Sequence, residues 1–63
     1  MKASVKKAIE EAKKLSEVHP TVKYAVMDKR GKRAVVTGSG WVYKERILEG
    51  YVVIANFVGG KEV

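Results

Sequence analysis

The chain has no cysteine, and that absence removes disulfides, thiol nucleophiles and thiolate metal sites together. It has one histidine, His19, and one proline, Pro20. A single imidazole without any cysteine does not make a structural zinc site, so no metal and no other cofactor is expected. Long apolar runs are missing too. The longest, Tyr51-Val52-Val53-Ile54-Ala55, is far too short to span a bilayer. Residues 1–20 alternate charge with apolar side chains and lack the apolar stretch of a signal peptide. The expectation is a cytoplasmic protein with no membrane partner, and the missing cysteines fit a reducing compartment.

With 63 residues the chain has room for one core, so residues 1–63 read as a single domain. A domain of this size buries roughly 60% of its unfolded surface, which leaves a narrow stability margin. Either helix–sheet packing is very good, or a second copy completes the core. A hydrophobic content of 46% with β-branched clusters is that of a folding chain and not of a disordered one.

Positive charge is in excess and unevenly placed. The net charge is +6, of which residues 21–46 alone contribute +5, from seven Lys or Arg against Asp28 and Glu45. Residues 1–20 carry +2 and residues 47–63 carry −1.

Periodicity gives a coarse fold. Val5, Ala8, Ile9, Ala12 and Leu15 repeat at helical spacing, which predicts an amphipathic helix over about 4–18 with Ser4 as N-cap or a start nearer Lys2. Glu10–Lys14 and Lys13–Glu17 are spaced to pair on its solvated face. Pro20 ends it. Val22 to Asp28 alternates like a strand, and Asp28-Lys29-Arg30-Gly31 predicts a type I turn with a G1 bulge. Asp28 then faces Lys32, pairing Val26 with Ala34 and Tyr24 with Val36 on an apolar face that meets the helix. The second face carries Lys23, Ala25, Met27, Arg33, Val35 and Thr37, half apolar and half basic. Gly38-Ser39-Gly40 is a turn by composition. Residues 41–49 pull two ways: Trp41-Val42-Tyr43 favours a strand, whereas Lys44 to Glu49 before Gly50 favours a helical turn with a glycine stop. The reading adopted is a strand leading into a turn. Tyr51 to Val58 is a β-branched run that reads as a strand, central or buried on both faces, and residues 59–63 as a short polar tail. The fold class is therefore α+β: an N-terminal amphipathic helix packed on one face of a small, mostly antiparallel sheet of three to four strands, spanning about 22–58.

Enzyme chemistry fails on inventory, and no catalytic residue is assigned. His19 reads as a capping or partly buried residue at the helix–strand corner. Ser39 lacks glycines two residues away on each side, where Thr37 and Trp41 stand, so it is no nucleophile elbow. Phosphate-loop and dinucleotide patterns are absent.

What remains is a charge pattern. Lys29, Arg30, Lys32 and Arg33 flank a glycine at a hairpin tip, where they can contact successive phosphates. Trp41 and Tyr43 follow, with Lys44 and Arg46 beside them, interleaving stacking surfaces with cations, while Lys23 borders the second sheet face. These nine residues are the candidate site for DNA or RNA, bound with little sequence specificity. The signatures of the RNA-recognition motif and of the KH clamp loop do not match. A second reading uses the second sheet face as a protein-binding surface, for a homodimer or an acidic partner, as in the small regulatory proteins of mobile elements.

Overall fold

A computed structural model describes residues 3–38 and 40–63. Helix α1 (Ala3–Val18) is followed by strands β1 (Tyr24–Lys29) and β2 (Arg33–Gly38), helix α2 (Trp41–Leu48), and strands β3 (Val52–Val58) and β4 (Lys61–Glu62). The α+β class stands.

In α1 the apolar stripe meets the sheet as its spacing requires: Ala8 and Ala12 are buried, and Val5, Ile9 and Leu15 are half-buried. Ser16, four residues beyond Ala12, is fully buried as well. Ser4 lies inside the helix and does not cap it; the alternative start at Lys2 falls outside the described residues. The helix ends where Pro20 cannot continue it. The His19 N–H still donates to the Leu15 carbonyl at 2.8 Å, and the Val22 N–H to that of His19 at 3.1 Å. The His19 side chain is exposed and not partly buried, its ring 6.5 Å from that of Tyr24. Neither Glu10–Lys14 nor Lys13–Glu17 closes; among the described residues the ion pair formed is Arg46–Glu49, at 3.3 Å.

The sheet has the order β2-β1-β3-β4, with antiparallel neighbours. Lys29 faces Arg33 and Val26 faces Val36, a register two residues from the expected one. The side-chain period of a strand is two, so this shift leaves every residue on its predicted face. Tyr24, Val26, Ala34 and Val36 do pack under α1, with Phe57 and Ala55 from β3. Ile54 is the extra residue of a bulge, since Val26 faces Ala55 and Met27 faces Val53.

Residues 41–48 are helical, correcting the strand expected there. Since β2 and β3 both run antiparallel to β1, they run parallel to each other, and α2 is the crossover that returns the chain to the hairpin end. β-propensity in Trp41-Val42-Tyr43 yields to this requirement. Gly50 supplies the stop: at φ 101 it lets the Tyr51 N–H reach the Arg46 carbonyl (3.0 Å) and its own N–H reach that of Ile47 (3.1 Å), a Schellman closure. The second sheet face is filled from within the chain, with Ala25, Met27 and Tyr51 buried and Val35, Tyr43 and Val53 packed around them. The expected tail instead pairs Lys61 with Val58 and Glu62 with Phe57 as β4. Of the Gly38-Ser39-Gly40 turn, Ser39 lies outside the described residues.

Candidate nucleic-acid interface

The hairpin tip is built by two residues at positive φ, Arg30 (50°) and Gly31 (70°). That combination belongs to a type I′ turn, whose twist suits paired strands. The expected turn gave positive φ to Gly31 alone and began one residue earlier. In the structure the Lys32 N–H donates to the Lys29 carbonyl at 2.9 Å. The Asp28 carboxylate accepts the Gly31 N–H through Oδ2 at 2.7 Å, while Oδ1 is buried without a hydrogen-bond partner. The only acid of the hairpin is thus turned into its own loop. Lys29, Arg30, Lys32 and Arg33 are all exposed, and none joins an ion pair among the described residues.

A fifth cation joins them through Tyr51. This ring is buried, with Lys29 Nζ 5.7 Å and Arg46 Cζ 5.6 Å from its centroid. Both distances fall within cation–π range. The Schellman closure explains why: Arg46 accepts the Tyr51 N–H through its carbonyl, which lays its side chain along the ring. Arg46 Nη1 also donates to Glu49 at 3.3 Å.

The remaining candidates lie elsewhere. Lys23 immediately precedes β1, about 17 Å from the tip at five or so strand steps of 3.3 Å. Trp41 follows Gly38, the partner of Tyr24, and so stands at that far end too. It is 80% exposed. Tyr43 is half-buried against Met27's cluster and is no free stacking platform. Lys44 is exposed on the outer side of α2, beside Ile47 and Leu48. The fold therefore gathers Lys29, Arg30, Lys32, Arg33 and Arg46, and separates Lys23, Trp41, Tyr43 and Lys44 from them. Tyr51, which joins the two basic elements, was not among the candidates. The glycine stop at Gly50 was the signal that could have found it.

Among the described residues no group of His, Cys, Asp or Glu side chains is placed to hold a metal ion, and no helix is long and apolar enough to cross a membrane. What the fold and surface define is a class: a small α+β domain whose crossover helix and hairpin bring five cations to one end. Compared with protein-family models, curated proteins and solved structures, the chain matches none.

Proposed function

We propose that this chain binds nucleic acid through the phosphate backbone, using the β1–β2 hairpin tip as a cationic probe. The observation that carries the reading is that Lys29, Arg30, Lys32 and Arg33, on and beside a single turn, are exposed and join no ion pair among the described residues, with Arg30 held at φ 50. A left-handed backbone favours Gly or Asn over Arg. Retaining a long cation there supports a functional demand on the tip.

Phosphate contacts position a protein on nucleic acid without reading bases. No exposed aromatic ring stands beside the tip, so stacking adds little and single strands gain no advantage from it. A two-stranded ribbon also has the width of a duplex major groove. Binding is expected at a dissociation constant of roughly 10⁻⁴–10⁻⁶ M, with a log–log salt slope of about −4 for four neutralised phosphates. Fluorescence titrations with labelled duplex DNA, single-stranded DNA and RNA at low and moderate salt test this. Comparable affinity for unrelated sequences, lost in the Arg30→Glu/Arg33→Glu variant, is the expected outcome. Absence of binding at low salt overturns the reading.

A further inference from the structure

Three cations at the hairpin end share one face of the sheet. Met27 and Val35 belong to the cluster of the second face. Strand alternation puts Lys29, two residues after Met27, and Arg33, two before Val35, on that face as well. They are direct cross-strand partners. Continuing the β1–β3 register one step past Asp28 and Val52 sets Tyr51 on the other side of Lys29. A row of Arg33, Lys29 and Tyr51 therefore crosses the sheet at its hairpin end, and α2 lays Arg46 over the Tyr51 ring. The Lys29 stem runs past Gly50, its Cε 4.0 Å from where a Cβ would stand there. Lys29 Nζ and Arg46 Cζ share one ring, so they lie no farther apart than the sum of their distances to it, about 11 Å.

Like charges directly opposite one another destabilise a sheet, and Arg46 adds a third beside them. Asp28 does not offset them, because it alternates to the other face and accepts the Gly31 N–H of its own turn. Glu49 reaches one of the three, and reaches it poorly. Both its oxygens lie on Arg46 Nη1, at 3.3 and 3.5 Å, and not in the paired fork of a strong Arg–carboxylate contact. Arg46 Nε is buried without a hydrogen-bond partner. Three cations against one carboxylate leave two positive charges unmatched among the described residues.

We propose that Lys29, Arg33 and Arg46 hold a doubly charged phosphate, the phosphomonoester at the end of a nucleic-acid strand, with Glu49 occupying Arg46 until it binds. A phosphomonoester carries close to two negative charges at neutral pH, which the unmatched pair balances. An internal phosphodiester carries one. Arg30 and Lys32 are exposed on the turn beside the row, placed to take the diesters that follow a strand end. Tyr51 is buried beneath its cations, so it stacks on no base and the end is held by its phosphate alone. The proposal rests on the nucleic-acid reading and narrows it from any stretch of backbone to an end.

The intact chain is titrated at low salt with a short labelled duplex carrying terminal phosphates, and with the same duplex ending in hydroxyls. The phosphorylated duplex should bind roughly tenfold tighter, from one added charge within reach of three cations. Arg46→Gln should cut that preference to about twofold while both duplexes still bind through the tip. Glu49→Gln removes the competing carboxylate and should widen the preference by about threefold. Glu49 is exposed, so this variant keeps the fold and carries the test even where losing Arg46 loosens α2. Equal affinity for the two duplexes overturns the proposal and leaves backbone binding standing, whereas absence of binding to either overturns both. A preference untouched by Arg46→Gln in a folded variant, or narrowed by Glu49→Gln, overturns the proposal as well. Competition separates the sources of the phosphate. A nucleoside monophosphate lacks the diesters for Arg30 and Lys32 and should displace the phosphorylated duplex only in large excess. Displacement at equal concentration would make a free nucleotide the occupant and overturn the strand end.

Discussion

Ser16 joins the two ends of the chain. Fully buried, it donates its hydroxyl to the Lys13 carbonyl and accepts the Gly60 N–H, both at 2.9 Å. Removing that oxygen strands a buried N–H. Ser16→Ala is therefore expected to lower stability by about 1–3 kcal/mol, measurable as a reduced urea midpoint with an unchanged slope. Gly60 answers it across the contact: at φ 83 its added Cβ would lie 2.5 Å from Glu17 Cγ, so a side chain there meets both strain and collision. Arg30 shows the opposite balance. Arg30→Asn suits the positive φ better and is expected to stabilise the fold by up to about 1 kcal/mol while weakening phosphate binding. A variant that loses both stability and binding would mean that Arg30 holds the turn rather than serving a ligand. The part of Ser16 was legible in outline, since 8, 12 and 16 lie on one helical line. Composition hid it: a serine among lysines reads as surface, and nothing local announces a backbone N–H arriving from residue 60.

At the scale of elements, the confident and the mistaken readings divide by how far the deciding contacts lie. α1 and β1 carry strong periodicity of their own, and their faces follow from it even though the hairpin register moved by two; β3 is a strand as its β-branched run requires, but Val52 and Ile54 are exposed on it, so it is not buried on both faces. α2 has no such local majority. Its β-forming first half and helix-forming second half balance, and the outcome is set by the parallel relation of β2 to β3 across β1. The candidate site divides the same way. The cations of the hairpin tip are neighbours in sequence and stay together, whereas Arg46 reaches them only because the Schellman turn puts Tyr51 under its side chain. An element with no buried residue of its own, as α2 is, owes little stability to packing. Hydrogen exchange is expected to release α2 amides through a local opening at least about 2 kcal/mol below global unfolding, while β1 amides report the global value. Equal protection in α2 and β1 would show that the crossover is locked to the sheet by more than Tyr43 and Arg46.

For the whole molecule, the unbalanced charge sets two responses to salt with opposite signs. Net charge is +6, and the one ion pair among the described residues, Arg46–Glu49, leaves the hairpin cations unopposed. Two unit charges about 7–10 Å apart in water repel by roughly 0.4–0.6 kcal/mol. The four cations crowded on one turn therefore act against folding by about 1 kcal/mol at low salt, once the repulsion persisting in the unfolded chain is deducted. Screening becomes effective as the Debye length falls from roughly 30 Å at 0.01 M to 10 Å at 0.1 M. Screening over that range relieves roughly half of the repulsion, so raising sodium chloride should lift the Tm, at fixed protein concentration, by about 2–4 °C. Over the same interval nucleic-acid affinity should fall steeply. Arg30→Glu/Arg33→Glu replaces a positive by a negative charge at each position and so takes the net charge from +6 to +2. It should raise the low-salt Tm and flatten its salt dependence while abolishing binding. If the tip is the seat of both effects, the two salt responses vanish together in that variant. A Tm that still climbs with salt after the exchange would place the repulsion elsewhere, in the lysines of α1, and would separate the cost of the charge from its use.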